Sequence, residues 1–331
     1  MSEKILSISV AAYNVENYLD KLINSIIKSK RMEDIEVLIV NDGSTDKTAE
    51  IASKYQEIYP ASIFLIDKPN GGHGSTINAG IINATGKYFK AIDGDDWFDT
   101  DGLSRLVDNL KVTETDVIFT DFINVYEQQG KQEIKTINCK PGCEYIFDNC
   151  SKELTGICYH NICYKTEVLK NNNIRLTEHS FYVDNELICY PIPYVKSFVY
   201  FDYPVYCYRL GREGQSVSMT SMQKNEKQHL NICENLLQYY TEVQSNMSED
   251  KKCFMAKFIS SVCEFQLRIQ FSFAPSIDRI NKIVEFDNLM KQIPLIYDSM
   301  ASKTYNVWRL ARRILYIPTR YYINKKYQTL D

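Results

Sequence analysis

The chain has 331 residues, 44% of them hydrophobic, and a formal net charge of −4. That length supports one large domain or two modest ones around a real core, and the charge gives no general pull toward nucleic acid. No apolar run approaches the ~20 residues of a membrane-spanning helix, and Met1-Ser2-Glu3-Lys4 leads into a strand instead of a secretory apolar segment, so a cytoplasmic protein is expected.

Strand-like and helix-like segments alternate from the N-terminus. Ile5–Ala12 is a β-branched apolar run. Leu19, Leu22, Ile23, Ile26 and Ile27 follow at the spacing of one helical face. Ile35–Val40 reads as a second buried strand, ending in Asn41-Asp42-Gly43-Ser44-Thr45-Asp46, a turn that opens a helix to about Ile58. Ser62–Ile66 is a third strand, followed by the Gly-rich Asn70-Gly71-Gly72-His73-Gly74 and a helix through about Ala84. Tyr88–Ile92 is a fourth strand, Asp101–Leu110 a helix and Asp116–Ile123 another strand. This alternation predicts a mostly parallel sheet with helices on both faces.

From about 126 to 215 the pattern is mixed, with short strands at Ser197–Phe201 and Val205–Tyr208 and a helix near Asp184–Tyr190. After Ser221 the chain reads helical, from Gln223 to about Tyr240 and from Asp250 to about Phe271, and then as short helices broken by Pro275 and Pro294. Residues 301–331 carry seven basic side chains against one acid, Asp331, with Trp308, Leu310, Ile314, Leu315, Tyr316 and Ile317 among them. Such a segment suits either an anionic membrane surface or a helix docked on the domain. The ten cysteines all lie from Cys139 onward, without a C-x-x-C pair, and read as reduced, mostly buried side chains.

The chemistry concentrates at the ends of the early strands. Asp93-Gly94-Asp95-Asp96 follows the fourth strand, and carboxylates this close repel unless a hard divalent cation neutralises them. An acidic solvated turn is an equal reading of these residues alone, since Asp-Gly favours turns. Asp42 ends the second strand, and Gly71, Gly72 and Gly74 precede a helix. In a parallel sheet these loops share one edge, where glycines admit close approach of a ligand and a helix N-terminus favours an anion. Together they describe a nucleoside-diphosphate cleft with a metal.

The combination resembles the family 2 glycosyltransferases, which have a GT-A fold. The resemblance rests on Val10-Ala11-Ala12-Tyr13-Asn14, Val40-Asn41-Asp42-Gly43-Ser44-Thr45-Asp46, Asn70-Gly71-Gly72 through Asn78-Ala79-Gly80, Ala84-Thr85-Gly86-Lys87-Tyr88 and Asp93-Gly94-Asp95-Asp96, in the family's order over residues 5–100. Weaker similarity continues to about 220, through Phe181-Tyr182-Val183-Asp184-Asn185-Glu186, Tyr206-Cys207-Tyr208-Arg209 and Gly214-Gln215-Ser216. It implies a GT-A catalytic domain over 1–220, with its nucleotide-sugar half at 1–125 and its acceptor half at 126–220, and a helical C-terminal region at 221–331.

By that resemblance Ala11 and Tyr13 line the base pocket, Asp42 accepts a hydrogen bond from the base, and Asp93 faces the donor ribose. Asn14, Ser44, Gly72, Asn78 and Gly94 belong to the same nucleotide-sugar site. Asp95 binds Mg²⁺ or Mn²⁺, with Asp96 as a second metal residue or its support. Arg209 or Arg212 helps neutralise the departing diphosphate. His73 is placed to contact donor or acceptor. Asp184 is the implied general base; its ordinary alternative is a helix N-cap, and Glu186 and Glu178 are the other candidate bases. The sequence departs from the family pattern at Ala11, Ile77 and Val183, where Pro, Arg and Glu are usual.

The implied reaction is an inverting sugar transfer from a nucleotide-sugar, most commonly a UDP-sugar, to a saccharide, lipid-linked or protein acceptor in bacterial surface polysaccharide, glycolipid or glycoprotein assembly, with peripheral contact to the inner membrane face through 301–331. A nucleotidyltransferase is the competing enzyme class, but Ala12-Tyr13-Asn14-Val15-Glu16 lacks the Gly-rich basic loop it needs. The same loop lacks G-x-G-x-x-G, against a dinucleotide oxidoreductase. A nucleotide-sugar binding module without turnover is the non-enzymatic alternative.

Overall fold

The computed structural model describes residues 3–211, 218–300, 305, 306, 308, 309, 320 and 321. Arg212, Gly214-Gln215-Ser216 and most of 301–331 lie outside the described residues. The chain divides into two compact units, 1–211 and 212–331.

The first unit begins with β1 (Leu6–Ala12), α1 (Leu19–Lys28), β2 (Ile35–Asp42), α2 (Thr48–Ile58), β3 (Ile63–Lys68), α3 (His73–Asn83), β4 (Tyr88–Asp93) and β5 (Trp97–Phe98). It continues with α4 (Thr100–Val112), β6 (Val117–Tyr126), β7 (Lys131–Lys135), β8 (Glu144–Ile146), α5 (Phe147–Cys150), β9 (Ile162–Lys165), α6 (Thr166–Asn171), α7 (Asp184–Cys189) and β10 (Ser197–Leu210). One sheet runs β3-β2-β1-β4-β9-β6-β10-β5, with β7 on β6 and β8 on β10. β1 pairs in parallel with β2 and β4, β2 with β3, and β6 with β10. β9 is antiparallel to both of its neighbours.

The near-continuous burial of β1 and β2 follows from their apolar runs, which suit strands covered on both faces. α1 buries Leu19, Leu22, Ile23 and Ile26, the stripe its spacing predicts. The two strands expected around Pro204 are one: β10 is continuous, and its register on β6 shifts between Phe201 and Pro204 and again before Tyr206. The irregularity absorbs a residue that has no N–H for the ladder. The short β5, β7, β8 and β9 are too brief to carry a readable alternation and were not foreseen.

The second unit holds α8 (Met219–Lys224), α9 (Glu226–Val243), α10 (Glu249–Ser272), α11 (Ile277–Lys291) and α12 (Pro294–Asp298). α9 packs on α10. Part of the basic C-terminal segment is structural: Trp308 is fully buried, edge-on to Phe271 at 5.4 Å, and Arg309 Nε donates to the buried Asp287 carboxylate at 2.9 Å. Those two residues serve the helical packing, leaving fewer of the segment's groups for a membrane surface. No helix among the described residues is long and apolar enough to cross a membrane.

Between α9 and α10, His229 is buried with Nδ1 2.9 Å from Gln266 Oε1. Burial pushes its pKa down to about 4, against a smaller upward pull from Gln266. A folded-state pKa below the unfolded value near 6.5 means its contribution is intact above pH ~6.5 and lost as pH falls toward 4, by up to about 3 kcal/mol. Urea midpoints of the full chain should therefore fall less between pH 7 and pH 4 in His229→Gln than in the wild type. Equal acid sensitivity would remove His229 from that effect.

Candidate active site

Parallel register brings four loops to one edge. Ala12 lies opposite Asn41, Asp42 opposite Lys68, and Ala11 opposite Asp93. The loops after β1, β2, β3 and β4 thus leave the sheet together, as in open α/β folds that bind ligands at strand C-termini.

The first two loops are tied to each other. The Asn14 N–H donates to Ser44 Oγ at 3.0 Å, and the Thr45 N–H to Asn14 Oδ1 at 2.9 Å. Asn14 has φ +52°, a left-handed conformation that Asn tolerates better than most residues. Asn14 and Ser44, expected at the donor, hold loop to loop. Tyr13 is half exposed at the rim. The Ala11 carbonyl accepts from the Gly94 N–H at 2.9 Å, joining the β1 end to the acidic loop.

Asp42 is 2% exposed. Its carboxylate accepts from Lys68 Nζ at 2.7 Å, from the Gly71 N–H at 2.9 Å and from the Gly72 N–H at 2.8 Å. Its carboxylate orders the Gly-rich loop, Oδ1 accepting from Lys68 and Gly71 and Oδ2 from Gly72. The glycines also have a different reason from the one expected. A Cβ on Gly74 would stand 2.0 Å from the Thr177 carbonyl oxygen, and Gly72 has φ +81° with His179 directly against it. They admit another stretch of this chain, residues 176–180, instead of a ligand. Asn78, also expected at the donor, is buried and exchanges two hydrogen bonds with the Leu176 backbone, at 2.8 and 2.9 Å.

Residues 176–180 lead to the proposed base. Glu186 is fully buried and accepts from the Thr177 N–H and Oγ1, both at 2.7 Å, and from Tyr190 Oη at 3.0 Å. These bonds anchor α7 to the segment docked on the Gly loop, and they leave Glu186 unsuited to act as the base. Asp184, half-buried, opens α7, whose N-cap position is Val183 with no side-chain cap bond. The Asp184 carboxylate accepts from backbone N–H groups at the start of its own helix, its own and that of Asn185. Burial raises its pKa, His73 opposes that rise, and Asp93 adds to it.

The carboxylates of Asp93, Asp95 and Asp96 offer oxygens that all lie within 4.8 Å of one another. They are not equivalent. Asp96 is buried; Tyr206 Oη donates to its Oδ2 at 2.5 Å and the Arg209 N–H to its Oδ1 at 2.7 Å. The same Tyr206 oxygen accepts from the Asp93 N–H at 3.2 Å. Asp96 is thus a brace between β10 and the acidic loop, and burial, then Asp95 and Asp93, holds its pKa well above the usual carboxylate range. Asp93 accepts from Tyr159 Oη at 3.3 Å, and its Oδ1 is 3.0 Å from His73 Nε2. Burial would raise the Asp93 pKa, but His73, His160 and the Tyr159 hydrogen bond together hold it low. This all-oxygen set fits a hard divalent cation, with Asp95 and Asp93 better placed to ligate than Asp96.

Arg209 is held against the acidic loop. Its guanidinium lies between the Tyr18 and Trp97 rings, at 4.8 and 4.9 Å. Nε donates to the Asp95 carbonyl at 2.7 Å and Nη1 pairs with Glu127. It shapes the loop carrying Asp95.

Several groups had no sequence signal. Lys90 is buried beneath the acidic loop, and its Nζ donates to the carbonyls of His160 at 2.9 Å and Ile162 at 3.1 Å. Burial lowers its pKa to about 8. His160 stacks on Tyr208 at 4.1 Å. Burial raises the Tyr208 pKa, and Asp96, Asp93, Asp95 and Asp184 add to it, so that phenol belongs to the same charged cluster.

Comparison with known proteins agrees with this architecture. The model of glycosyl transferase family 2 matches residues 7–172, half of the chain. "Glycosyltransferase GlyA" of Streptococcus pneumoniae is 30% identical over 166 residues, 50% of this chain and 22% of that protein. "Minor teichoic acid biosynthesis protein GgaB" of Bacillus subtilis is 28% identical over 294 residues, 87% of this chain and 32% of that protein. The chain thus spans a third or less of the length of these two relatives. Among solved structures, S. aureus TarS 1-349 in complex with UDP-GlcNAc superposes with a TM-score of 0.65 at 18% identity, covering 98% of this chain and 92% of that one. The fold is accordingly GT-A.

Proposed function

The chain belongs to glycosyl transferase family 2, and from that premise we propose that it transfers a sugar, with inversion, from a UDP-sugar to an acceptor hydroxyl. The observation that carries this reading is the cluster of Asp93, Asp95 and Asp96, whose carboxylate oxygens lie within 4.8 Å of one another where β4 ends. Acidic groups for the diphosphate side and a separate carboxylate to take the acceptor proton are what displacement at an anomeric carbon uses.

In this proposal Tyr13 and the Ala11 backbone border the base, Asp93 faces the ribose, and Asp95 and Asp93 hold Mg²⁺ or Mn²⁺. The cation, when bound, neutralises charge on the diphosphate. Asp184 removes the proton from the acceptor hydroxyl. Tyr206 and Asp96 keep the acidic loop in place, and Asp42 keeps the Gly-rich loop in place. The UDP-GlcNAc complex of TarS supports a uridine donor. The teichoic acid biosynthesis protein among the relatives supports an acceptor in cell-surface polymer assembly on the cytoplasmic face.

A thermal-shift panel of UDP, UDP-N-acetylglucosamine, UDP-glucose and GDP-mannose, with and without Mn²⁺, tests this. A uridine nucleotide should raise the melting temperature more with Mn²⁺ than without, the rise growing with the logarithm of ligand over Kd, and slow hydrolysis of one UDP-sugar should accompany it. Stabilisation without any turnover would indicate a binding module; no response to any nucleotide would sink the proposal.

A further inference from the structure

We propose that Tyr208 and Asn124 form a wall that binds a neutral saccharide acceptor. The inference rests on the glycosyl-transfer reading above and adds the residues that would hold the attacking sugar. β9 is antiparallel to both β4 and β6, and β10 is parallel to β6. β6 and β10 therefore run the same way as β4 and finish at the edge where the acidic loop leaves the sheet. In sheet order they lie on the other side of β4 from β1, β2 and β3, whose loops border the nucleotide in that reading. Register sets Tyr206 opposite Phe122, Tyr208 opposite Asn124, and Asn124 opposite Glu133 of β7. Side chains opposite one another share a face, as do those two apart along a strand. Tyr208, Asn124 and Glu133 thus form one row across three strands, about 10 Å long.

The row starts beside the chemistry. The His160 ring lies 4.8 Å from that of Tyr206, which donates to Asp96, and stacks on Tyr208 at 4.1 Å. The short turn Tyr159–Asn161 that carries His160 packs on α7, the helix Asp184 opens. At its far end the row reaches solvent: the Glu133 side chain is 41% exposed and pairs with Lys135 at 2.6 Å. The polar groups between these ends are available. Tyr159 and Tyr206 commit their hydroxyls to Asp93 and Asp96. The Tyr208 phenol and the Asn124 amide, both on half-buried side chains, make no hydrogen bond among the described residues. Of the two amide atoms only Oδ1 is closed off from solvent. A phenol and a carboxamide donate and accept without charge. That chemistry matches sugar hydroxyls and not a phosphate, and the row is long enough for more than one sugar ring.

The test uses the full chain with Mn²⁺ and the UDP-sugar of the panel above that it hydrolyses, with cellobiose, lactose and N,N′-diacetylchitobiose as acceptor probes. Tyr208→Phe, which keeps the ring on His160, and Asn124→Ala should each raise KM for the best probe about 3- to 10-fold, the worth of one neutral hydrogen bond. UDP affinity by calorimetry should stay within about two-fold, since the lost contact is to the acceptor. Ile134→Ala, on the opposite face of β7, should leave that KM unchanged. UDP affinity falling in step with the rise in KM would assign the wall to the donor or to folding and overturn the inference. So would an unchanged KM in either wall variant, an equal rise in Ile134→Ala, or a wild type that hydrolyses the UDP-sugar and transfers it to no probe. A wild-type protein that binds no UDP and turns over no donor would instead refute the glycosyl-transfer reading, and this one with it.

Discussion

Asp184→Asn should lower sugar transfer by about 10²–10⁴-fold, the usual worth of a positioned general base, while UDP affinity measured by calorimetry stays within about two-fold. The expectation comes from what surrounds Asp184. It opens α7, and α7 is fixed from behind by Glu186. The carboxylate is thus held in place at the start of the helix, by the backbone N–H groups of Asp184 and Asn185. Burial and Asp93 raise its pKa while His73 restrains the rise, which favours a base poised nearer working pH than an exposed carboxylate. The sign follows: activity should fall on the acid side as Asp184 takes up a proton, above the pH at which an exposed Asp would do so. Full transfer by the Asn variant would remove Asp184 from the mechanism. Glu186→Gln is the informative control, expected to reduce stability instead, since three donors converge on that buried group.

Asp95→Ala should abolish the strengthening of UDP binding by Mn²⁺ and lower kcat/KM about 10³-fold, because charge stabilisation at the leaving group is commonly the largest catalytic contribution. Asp96→Asn should behave differently. Its neighbour Tyr206 and the Arg209 N–H already occupy that group, and an amide of the same shape retains part of the arrangement. Calorimetric titration of UDP with and without Mn²⁺ separates the two. A metal response kept by Asp95→Ala and lost by Asp96→Asn would reverse the assignment of ligand and brace.

Much of this architecture is legible in the chain. The β-branched run before Asn14, the buried run ending at Asp42 and the short strand ending at Asp93 are continuous apolar segments with polar ends, and they fold as β1, β2 and β4. What the sequence hides is what holds each side chain. Asp42 has Gly71, Gly72 and Lys68 around its carboxylate. Arg209 has Glu127, 82 positions away, beside it. Both are long-range pairings that no local pattern encodes. The acceptor-side elements were harder for another reason. β9 inserts antiparallel between β4 and β6 over four residues, too few for any period to show, and Pro204 punctuates a strand that continues through it.

The contact between Gly74 and the Thr177 carbonyl has a mechanical consequence. Through the Thr177 backbone and the Glu186 side chain it ties the Gly-rich loop to α7, the helix that Asp184 opens. Any side chain larger than hydrogen at position 74 would push the two segments apart and carry α7 with it.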